Sequence, residues 1–131
     1  MTDPLHECIT NTNPNSNVTV YSSRLCKPWK FSARGTEFLK GWEQFSPTNT
    51  INRKIRLPLF QFEYDALVCF MYNLQHHGDS LLDFVNTGDY NKVGDRIRQY
   101  ATVKGKPLRG LLRRRHREAE MFEAGVYDSS H

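Results

Sequence analysis

The first regular pattern of apolar residues along the chain begins behind Ser32. Four large apolar side chains follow it at helical spacing: Phe38, Leu39, Trp42 and Phe45. Ser32 is a residue type that caps helix N-termini, so the pattern predicts a helix of about three turns. The helix is expected to end before Ser46, because Pro47 disfavours helical backbone in the residue that precedes it.

The longest apolar pattern extends from residue 59 to residue 74. Pro58 stands where a helix can begin, and Gly78 stands where a left-handed cap can end one. The apolar positions cover two adjoining faces, which is typical of a central helix surrounded by others. We therefore expect four of its side chains to be buried in the core: Phe62, Leu67, Phe70 and Met71.

Shorter patterns predict three further helices. Apolar residues recur at helical spacing in residues 80–85, 93–100 and 108–124. Asp79 or Ser80 can cap the first of these helices, and Gly125 can end the last. About five helices with almost no strand pattern predict an all-α fold.

The segments between the helices are rich in polar, Gly and Pro residues. Residues 46–56 and 104–107 are therefore predicted as connections, and residues 86–89 as a turn. Residues 1–28 are predicted as an irregular arm, in which residues 18–21 favour a short strand. The helical domain is assigned to residues 29–131.

Composition and length fit one soluble globular domain. The 131 residues are 38% hydrophobic and 24% charged, a balance that supports a folded core. No apolar stretch reaches the roughly 20 residues that a membrane-spanning helix requires. Residues 1–9 contain acidic residues and a proline where a secretory signal has a basic start and an apolar centre, so no signal peptide is predicted.

The net charge of +4 is concentrated in one C-terminal segment, residues 104–117. Such a cluster is either a solvated helix face or a surface for nucleic acid, an anionic membrane or acidic polymers of a bacterial envelope. Glu118, Glu120 and Glu123 follow closely. They interrupt a continuous positive face, which disfavours nucleic acid.

Cysteine and histidine spacing predicts neither a metal site nor a cofactor. Cys69 lies inside an apolar run and is expected in the core. Cys8 and Cys26 can form a disulfide in an oxidising compartment, but an odd count of three leaves this open. His76 and His77 are adjacent rather than four residues apart, which disfavours zinc.

Four segments, in order along the chain, carry a family resemblance: SARGTEFLKGWEQF at 32–45, QFEYDALVCFMYNL at 61–74, SLLDFVNTGDY at 80–90 and GLLRRRHREAEMFEAGVY at 110–127. They resemble the phage-type lysozymes of glycoside hydrolase family 24. The resemblance extends over roughly residues 31–128. It implies the large helical lobe of a lysozyme and descent from an enzyme that cleaves peptidoglycan.

The resemblance assigns candidate site residues. Glu43 matches the general acid of the family, and neighbouring apolar side chains would raise its pKa by desolvation. Arg114, Asn73 and Ser80 are candidate binding residues. Arg114 either pairs with Glu43 or forms a helix-surface pair with Glu118, four residues further along.

Two further parts of the family pattern are missing. Asn52 and Pro58 stand where the family has a catalytic aspartate and a threonine. The family also inserts a small β-rich lobe here, whereas this chain has only the 11 residues 46–56, too few for such a sheet. Glu63 and Asp65 are the next acidic residues, and both are expected to be first-turn helix acids favoured by the helix dipole.

These observations favour a lysozyme-related protein that is directed at peptidoglycan, is catalytically impaired and acts as a binding or regulatory pseudoenzyme. The alternative is an active glycosidase, either a phage endolysin or an injected antibacterial effector. Its missing groups would come from Asp3, from Glu7 or from another chain. The expected partner is peptidoglycan or a protein that docks on the cleft uncovered by the missing lobe. Made without a signal peptide in a bacterial or phage-infected cytoplasm, the protein would act at the cell envelope or in the periplasm.

Overall fold

The computed structural model describes residues 24–25, 29–38, 48–74, 78–103, 106–107 and 109–128. Six α-helices lie in these ranges: α1 (Ala33–Phe38), α2 (Thr48–Lys54), α3 (Gln61–Leu74), α4 (Asp79–Val85), α5 (Val93–Arg98) and α6 (Arg109–Ala124). A 3-10 turn, Tyr90–Lys92, precedes α5. The predicted all-α fold is confirmed. None of the described helices is long and apolar enough to cross a membrane.

The central helix is α3, as its two apolar faces predicted. Leu67, Phe70 and Met71 are buried, and α6 packs along α3 while also contacting α5. The first half of α6 meets the second half of α3, where Arg115 Nη2 donates to Asn73 Oδ1 over 2.6 Å. The two long helices are therefore antiparallel, and α5 covers the other side of α6.

Phe62 departs from the predicted core. The prediction that it is buried is wrong, because its side chain is only half-buried and stacks on Phe60 with ring centroids 5.1 Å apart. Both rings stand at the start of α3, where fewer helices surround it than further along. The spacing of apolar residues predicts which face of a helix is buried. It does not predict how much of that face the neighbouring helices cover.

The termini of the helices follow local sequence with two exceptions. The prediction that Gly78 ends the central helix in a left-handed cap is wrong, because Gly78 has a φ of −94° and stands at the start of α4. Ser32 caps α1, because its Oγ accepts from Gly35 N over 3.1 Å. Gly125 takes a φ of 69° directly after α6, as expected of a C-terminal glycine. The prediction that Asp79 or Ser80 caps α4 is wrong: the cap is Gly78, without a side-chain hydrogen bond. Asp79 pairs instead with Lys54, with a distance of 2.8 Å between Nζ and Oδ2.

Residues 46–56 do not form the simple connection that their composition predicted. Residues 48–54 form α2, and Ile51 and Ile55 are completely buried against the core. These two residues are four positions apart and supply one apolar edge, so tertiary packing stabilises a helix whose sequence is mostly polar. The number of described helices is six rather than five for this reason.

The second predicted connection also contains regular structure. Thr102–Val103 and Lys106–Pro107 form two short antiparallel strands, β1 and β2. The prediction that residues 104–107 are loop is therefore wrong for the last two. The predicted turn at 86–89 is confirmed, with Gly88 at a φ of 85°.

Part of the predicted N-terminal arm packs on the helical domain. Leu25 is buried and forms an antiparallel bridge with Leu59, in which Leu25 N donates to Leu59 O over 2.7 Å. Trp29 is also buried, and its Nε1 donates to Leu25 O over 2.9 Å. The expected division between arm and domain at residue 28 stays a prediction, and the possible strand at 18–21 lies outside the described residues.

Candidate functional site

The four residues assigned from the family resemblance have different outcomes. Glu43 lies outside the described residues, and so do Trp42 and Phe45, on which its desolvation depends. Its role as an acid remains a prediction. Arg114 and Asn73 lie together where α6 crosses the end of α3, and Ser80 lies at the start of α4.

A cluster of buried charges surrounds Arg114. Arg114 Nε lies 3.0 Å from Glu118 Oε2, and Arg115 Nη1 lies 3.2 Å from Glu118 Oε1. The side chains of Arg115 and Glu118 are fully buried, and that of Arg114 is 15% exposed. Of the two arrangements weighed for Arg114, the pair with Glu118 is present, but it is a buried pair rather than a surface one. The pair with Glu43 remains untested.

The same cluster joins α6 to α3. Arg114 Nη2 donates to the carbonyl oxygen of Cys69 over 3.4 Å, and Arg115 donates to Asn73. Cys69 is buried with a free thiol, as expected of a core residue. Asn73 therefore holds the Arg115 guanidinium through its amide oxygen. The sequence did not predict this structural role.

Ser80 is connected to this cluster through aromatic rings. Its Oγ shares a short hydrogen bond with Tyr100 OH. The Tyr100 ring meets the Phe70 ring edge-on at 5.0 Å, and the Arg115 guanidinium carbon lies 5.1 Å from the centre of the Phe70 ring. Ser80 is thus linked to the Arg114–Glu118 cluster through Tyr100 and Phe70.

Burial governs the electrostatics of Glu118. Desolvation raises the pKa of its carboxyl from the ordinary 4.5 to about 7, and the charges of Arg115 and Arg114 oppose that rise. Desolvation also lowers the pKa of Arg115, which Glu118 partly restores. The cluster is costly to keep charged inside the protein, because each ion has lost its hydration.

We predict that the protein is less stable at pH 8 than at pH 5. A carboxyl whose pKa is about 7 when folded and 4.5 when unfolded gives stability that is complete below pH 4.5 and lost as the pH rises through 7. Urea unfolding followed by circular dichroism at the two pH values measures this change. Burial raises the pKa of Glu63 and Asp65 as well, so all three carboxyls act in the same direction.

Glu118→Gln keeps the shape of the side chain and should reduce the difference between pH 5 and pH 8. Glu120→Gln is the matched control on the same helix, where the carboxyl lies nearer solvent, and it should retain the difference. An unfolding midpoint in wild type that rises from pH 5 to pH 8 would contradict the prediction.

Asn52 is part of the scaffold. Its Oδ1 accepts from Trp29 N over 2.9 Å, while its Nδ2 donates to Thr48 O over 2.8 Å and to Tyr64 OH over 3.0 Å. Both ends of the amide are thus occupied by groups of this chain. Pro58, the other position that departs from the family pattern, offers its carbonyl oxygen to Tyr90 OH over 2.6 Å.

Glu63 and Asp65 do more than the predicted first-turn acids. Glu63 does sit in the first turn of α3 and accepts from Phe60 N over 2.7 Å, as a capping residue would. Its carboxylate is also buried against Arg24, whose Nε and Nη2 donate over 3.1 and 3.0 Å. The prediction of first-turn acids is therefore confirmed for Glu63 and wrong for Asp65, which lies beyond the first turn, and both residues are buried.

Asp65 is buried by residues from both ends of the described chain. Its Oδ1 accepts from Ser32 N over 3.2 Å and from Gln61 Nε2 over 2.9 Å, and its Oδ2 accepts from Tyr127 OH over 2.5 Å. Ser32 Oγ donates to the same carboxylate in a short hydrogen bond. All these donors are neutral, so Asp65 holds α1, α3 and the C-terminal segment together without a countercharge.

Sequence reasoning missed Arg24 and Arg115, and it missed the burial of Glu118. A signal existed for Arg115 and Glu118, since they are three positions apart on a helix and share its buried side with Ala119 and Phe122. No signal existed for Arg24, which lies 39 residues from Glu63 within a segment that lacks periodicity.

Comparison with known proteins finds similarity to phage endolysins. An endolysin of Acyrthosiphon pisum secondary endosymbiont phage 1 is 34% identical over 84 residues, which cover 59% of this chain and 58% of the relative. An endolysin of Bacillus phage B103 is 28% identical over 78 residues, covering 57% of this chain and 30% of the relative. The chain thus spans well under two thirds of the length of either relative.

A solved structure and a family model complete the comparison. The endolysin from Escherichia coli O157:H7 phage FAHEc1 superposes with a TM-score of 0.54 at 27% identity, over 73% of this chain and 60% of that one. The phage lysozyme family model matches residues 17–118, which include the α1, α2 and α3 segments and the Arg114–Glu118 cluster. The chain therefore belongs to the phage lysozyme family.

Proposed function

We propose that this chain is a peptidoglycan-directed protein of the glycoside hydrolase family 24 type that binds or regulates at the bacterial envelope and is impaired as an enzyme. The hydrogen bonding of Asn52 is the observation that carries the proposal. Hydrolysis of a glycan needs a second carboxylate or a positioned water opposite the general acid, because positive charge develops on the sugar. The resemblance gives Asn52 the position of that carboxylate.

An amide at this position supplies no negative charge. Its hydrogen bonds to Trp29, Thr48 and Tyr64 also hold it in place within the scaffold, so a reorientation toward a substrate would break bonds that hold α2. Removing a group that stabilises charge in the transition state typically costs two to three orders of magnitude or more in rate. Even if Glu43 is a competent general acid, it would lack the second carboxylate that hydrolysis requires.

Exposed charges of β2 and α6 support binding to an acidic polymer. Lys106, Arg109 and Arg113 are exposed and form no ion pair within the described part of the chain. The side chain of Leu112, 48% exposed, lies between the two arginines. Peptidoglycan carries carboxylates, so this surface complements it in charge.

A protein docking on an uncovered cleft has less support. Ile51, Ile55 and Leu59, in and after the short segment that replaces the expected lobe, are completely buried in the core. Among the described residues, the large apolar side chains that are exposed are Leu112 and Val126, which are too few for an apolar interface. Peptidoglycan is therefore the favoured partner.

We expect the protein to sediment with purified peptidoglycan at low ionic strength and to be released as salt is raised, because exposed charge pairs are screened. The double variant Arg109→Glu/Arg113→Glu should bind at least about tenfold more weakly. Arg53→Glu/Arg56→Glu makes the same change in net charge at exposed residues away from α6 and is the matched control. If wild type stays in the supernatant at low salt, the proposed partner is wrong.

An active glycosidase remains the second candidate, supported by the docking of the arm. Arg24 is held by Glu63 of α3, and Leu25 is held by Leu59. In this candidate Asp3 or Glu7, or a carboxylate from another chain, replaces the missing partner of Glu43. The activity measurement described below separates the two candidates.

A further inference from the structure

Three described residues that precede α1 attach to the helical domain at separate points, and we call them the strap: Arg24, Leu25 and Trp29. Leu25 and Trp29 are buried, and the side chain of Arg24 is 31% exposed. The two ends of the strap are joined to each other, because Trp29 Nε1 donates to Leu25 O over 2.9 Å. A movement at one end is therefore passed to the other.

The Arg24 end of the strap is attached by charge. Its guanidinium makes the bidentate pair with Glu63, whose side chain is only 4% exposed. The guanidinium carbon also lies 3.6 Å from the centre of the Tyr90 ring and 4.5 Å from that of the Phe60 ring. A bidentate pair with a carboxylate that is largely removed from water is stronger than an exposed ion pair, and the two rings add cation–π attraction.

The groups that receive Arg24 are held in place without it. Phe60 N donates to Glu63 Oε1 over 2.7 Å, which orients the carboxylate. Tyr90 OH donates to Pro58 O over 2.6 Å, which orients the ring. Arg24 can therefore leave and return without any rebuilding of its receptor, so little ordering of side chains opposes its return.

The middle of the strap is attached by backbone hydrogen bonds alone. Leu25 N donates to Leu59 O over 2.7 Å, and Leu59 N donates to Leu25 O over 3.4 Å. Among the described residues this bridge is isolated and is not part of a longer ladder. A pair without neighbouring rungs opens readily, so the adjacent Arg24 is what keeps this bridge closed.

The Trp29 end of the strap is attached to α2. Trp29 N donates to Asn52 Oδ1 over 2.9 Å, and the Trp29 ring lies against the Tyr64 ring with centroids 5.6 Å apart. The α2 helix has seven residues and a mostly polar sequence, and a helix of that length is unstable without tertiary contacts. Its stability therefore depends in part on the strap.

We propose that the strap is a releasable clasp, closed by Arg24, whose release loosens α2 and frees the Asn52 amide oxygen. In the closed state Trp29 N occupies that oxygen, whereas in the open state the oxygen can accept from another donor. The resemblance places residue 52 opposite Glu43, so the strap controls whether this position can meet a ligand. Release adds no charge at residue 52, so the proposed impairment does not depend on the strap.

The test is hydrogen exchange, followed by NMR, in the full-length protein. Three backbone amides report on release: Trp29 on the bond to Asn52, Leu59 on the bridge, and Ile55, which donates to Ile51 O over 3.0 Å, on the end of α2. In wild type we expect these amides to exchange faster than those of residues 67–71 in α3, and with a weaker dependence on low concentrations of urea. This pattern identifies a local opening that is distinct from global unfolding.

Arg24→Ala should raise the exchange rates of the three reporter amides at least about tenfold, the effect of losing a charge-assisted hydrogen bond. Glu63→Gln should raise the same rates, because it removes the charge that Arg24 binds while retaining an oxygen for Phe60 N. It is a second route to the same opening if Arg24→Ala fails to fold, which circular dichroism checks.

Arg96→Ala is the matched control. The Arg96 guanidinium also lies over an aromatic ring, 4.4 Å from the centre of Phe84, but it belongs to α5 and not to the strap. This variant should leave the three reporter rates as they are in wild type. The proposal is overturned if the reporter amides exchange together with residues 67–71 in wild type, or if Arg24→Ala and Glu63→Gln leave their rates unchanged.

Exchange separates a clasp from an ordinary stabilising contact. A contact that is lost only on global unfolding would, when removed, raise the rates of residues 67–71 and leave the local opening of α2 as it was. That result for Arg24→Ala would contradict the proposal. Sedimentation with peptidoglycan, which tests the proposed function, has no bearing on this result.

Discussion

Purified protein should clear peptidoglycan suspensions at least about a thousandfold more slowly than a full-length phage endolysin. The rate depends on a carboxylate opposite the acid, and the corresponding position holds an amide that is bonded to Trp29, Thr48 and Tyr64. An oxocarbenium-like sugar would form there without a countercharge. A turbidity assay with a full-length endolysin as reference measures the difference.

Asn52→Asp tests whether charge alone is missing. The carboxylate would lose the donor that binds Thr48 O, so we expect a loss of about 1–3 kcal/mol in stability and no recovery of clearing. Recovery of clearing by this variant would mean that residue 52 faces the substrate, which its present hydrogen bonds oppose.

Clearing by wild type at a rate near that of the endolysin would overturn the proposed impairment. Glu43→Gln would then be the decisive variant. If it abolishes clearing, Glu43 is the acid and the second carboxylate must be sought at Asp3, at Glu7 or on another chain. The double variant Asp3→Asn/Glu7→Gln separates the arm from another chain, since it removes both arm carboxylates.

Phe70→Ala should lower the free energy of unfolding by about 3–5 kcal/mol, the usual cost of removing a fully buried aromatic side chain. Phe70 has no exposed surface, packs edge-on against Tyr100 and lies under the Arg115 guanidinium. Its removal leaves a cavity beside a buried cation, which the surroundings cannot fill with apolar atoms. Urea unfolding followed by circular dichroism at pH 5 measures the loss.

Phe62→Ala is the matched control for Phe70→Ala, because it deletes the same side chain from the same helix. Its ring is half-buried, so we expect a loss of about 1–2 kcal/mol. A cost below about 1 kcal/mol for Phe70→Ala, or equal costs for the two variants, would show that the core does not centre on α3.

Local sequence predicted those parts of the fold that local interactions stabilise. The Ser32 cap, the turn at Gly88 and the end of α6 at Gly125 each need only a neighbouring residue or a single backbone angle. The α3 and α6 helices carry long apolar faces, which periodicity detects without knowledge of their partners.

The errors arose where a distant residue decides the outcome. Residues 48–54 become helical because Ile51 and Ile55 find the core, and Glu63 is buried because Arg24, from a segment without pattern, reaches it. The features of the candidate site were likewise predicted only in part. Family resemblance located Arg114 and Asn73, whereas the burial of Glu118 and the use of the Asn52 amide depend on tertiary contacts.

The hydrogen bonds of Asp65 have a consequence for biosynthesis. When synthesis of α3 is complete, Ser32 and Gln61 are already part of the chain, but Tyr127 is added 62 residues after Asp65. Until then the carboxylate lacks one of the donors that make its burial tolerable, so α1 and α3 cannot settle fully against each other. We therefore expect the packing around this carboxylate to be completed only after translation has passed Tyr127, and incompletely packed chains are prone to aggregate.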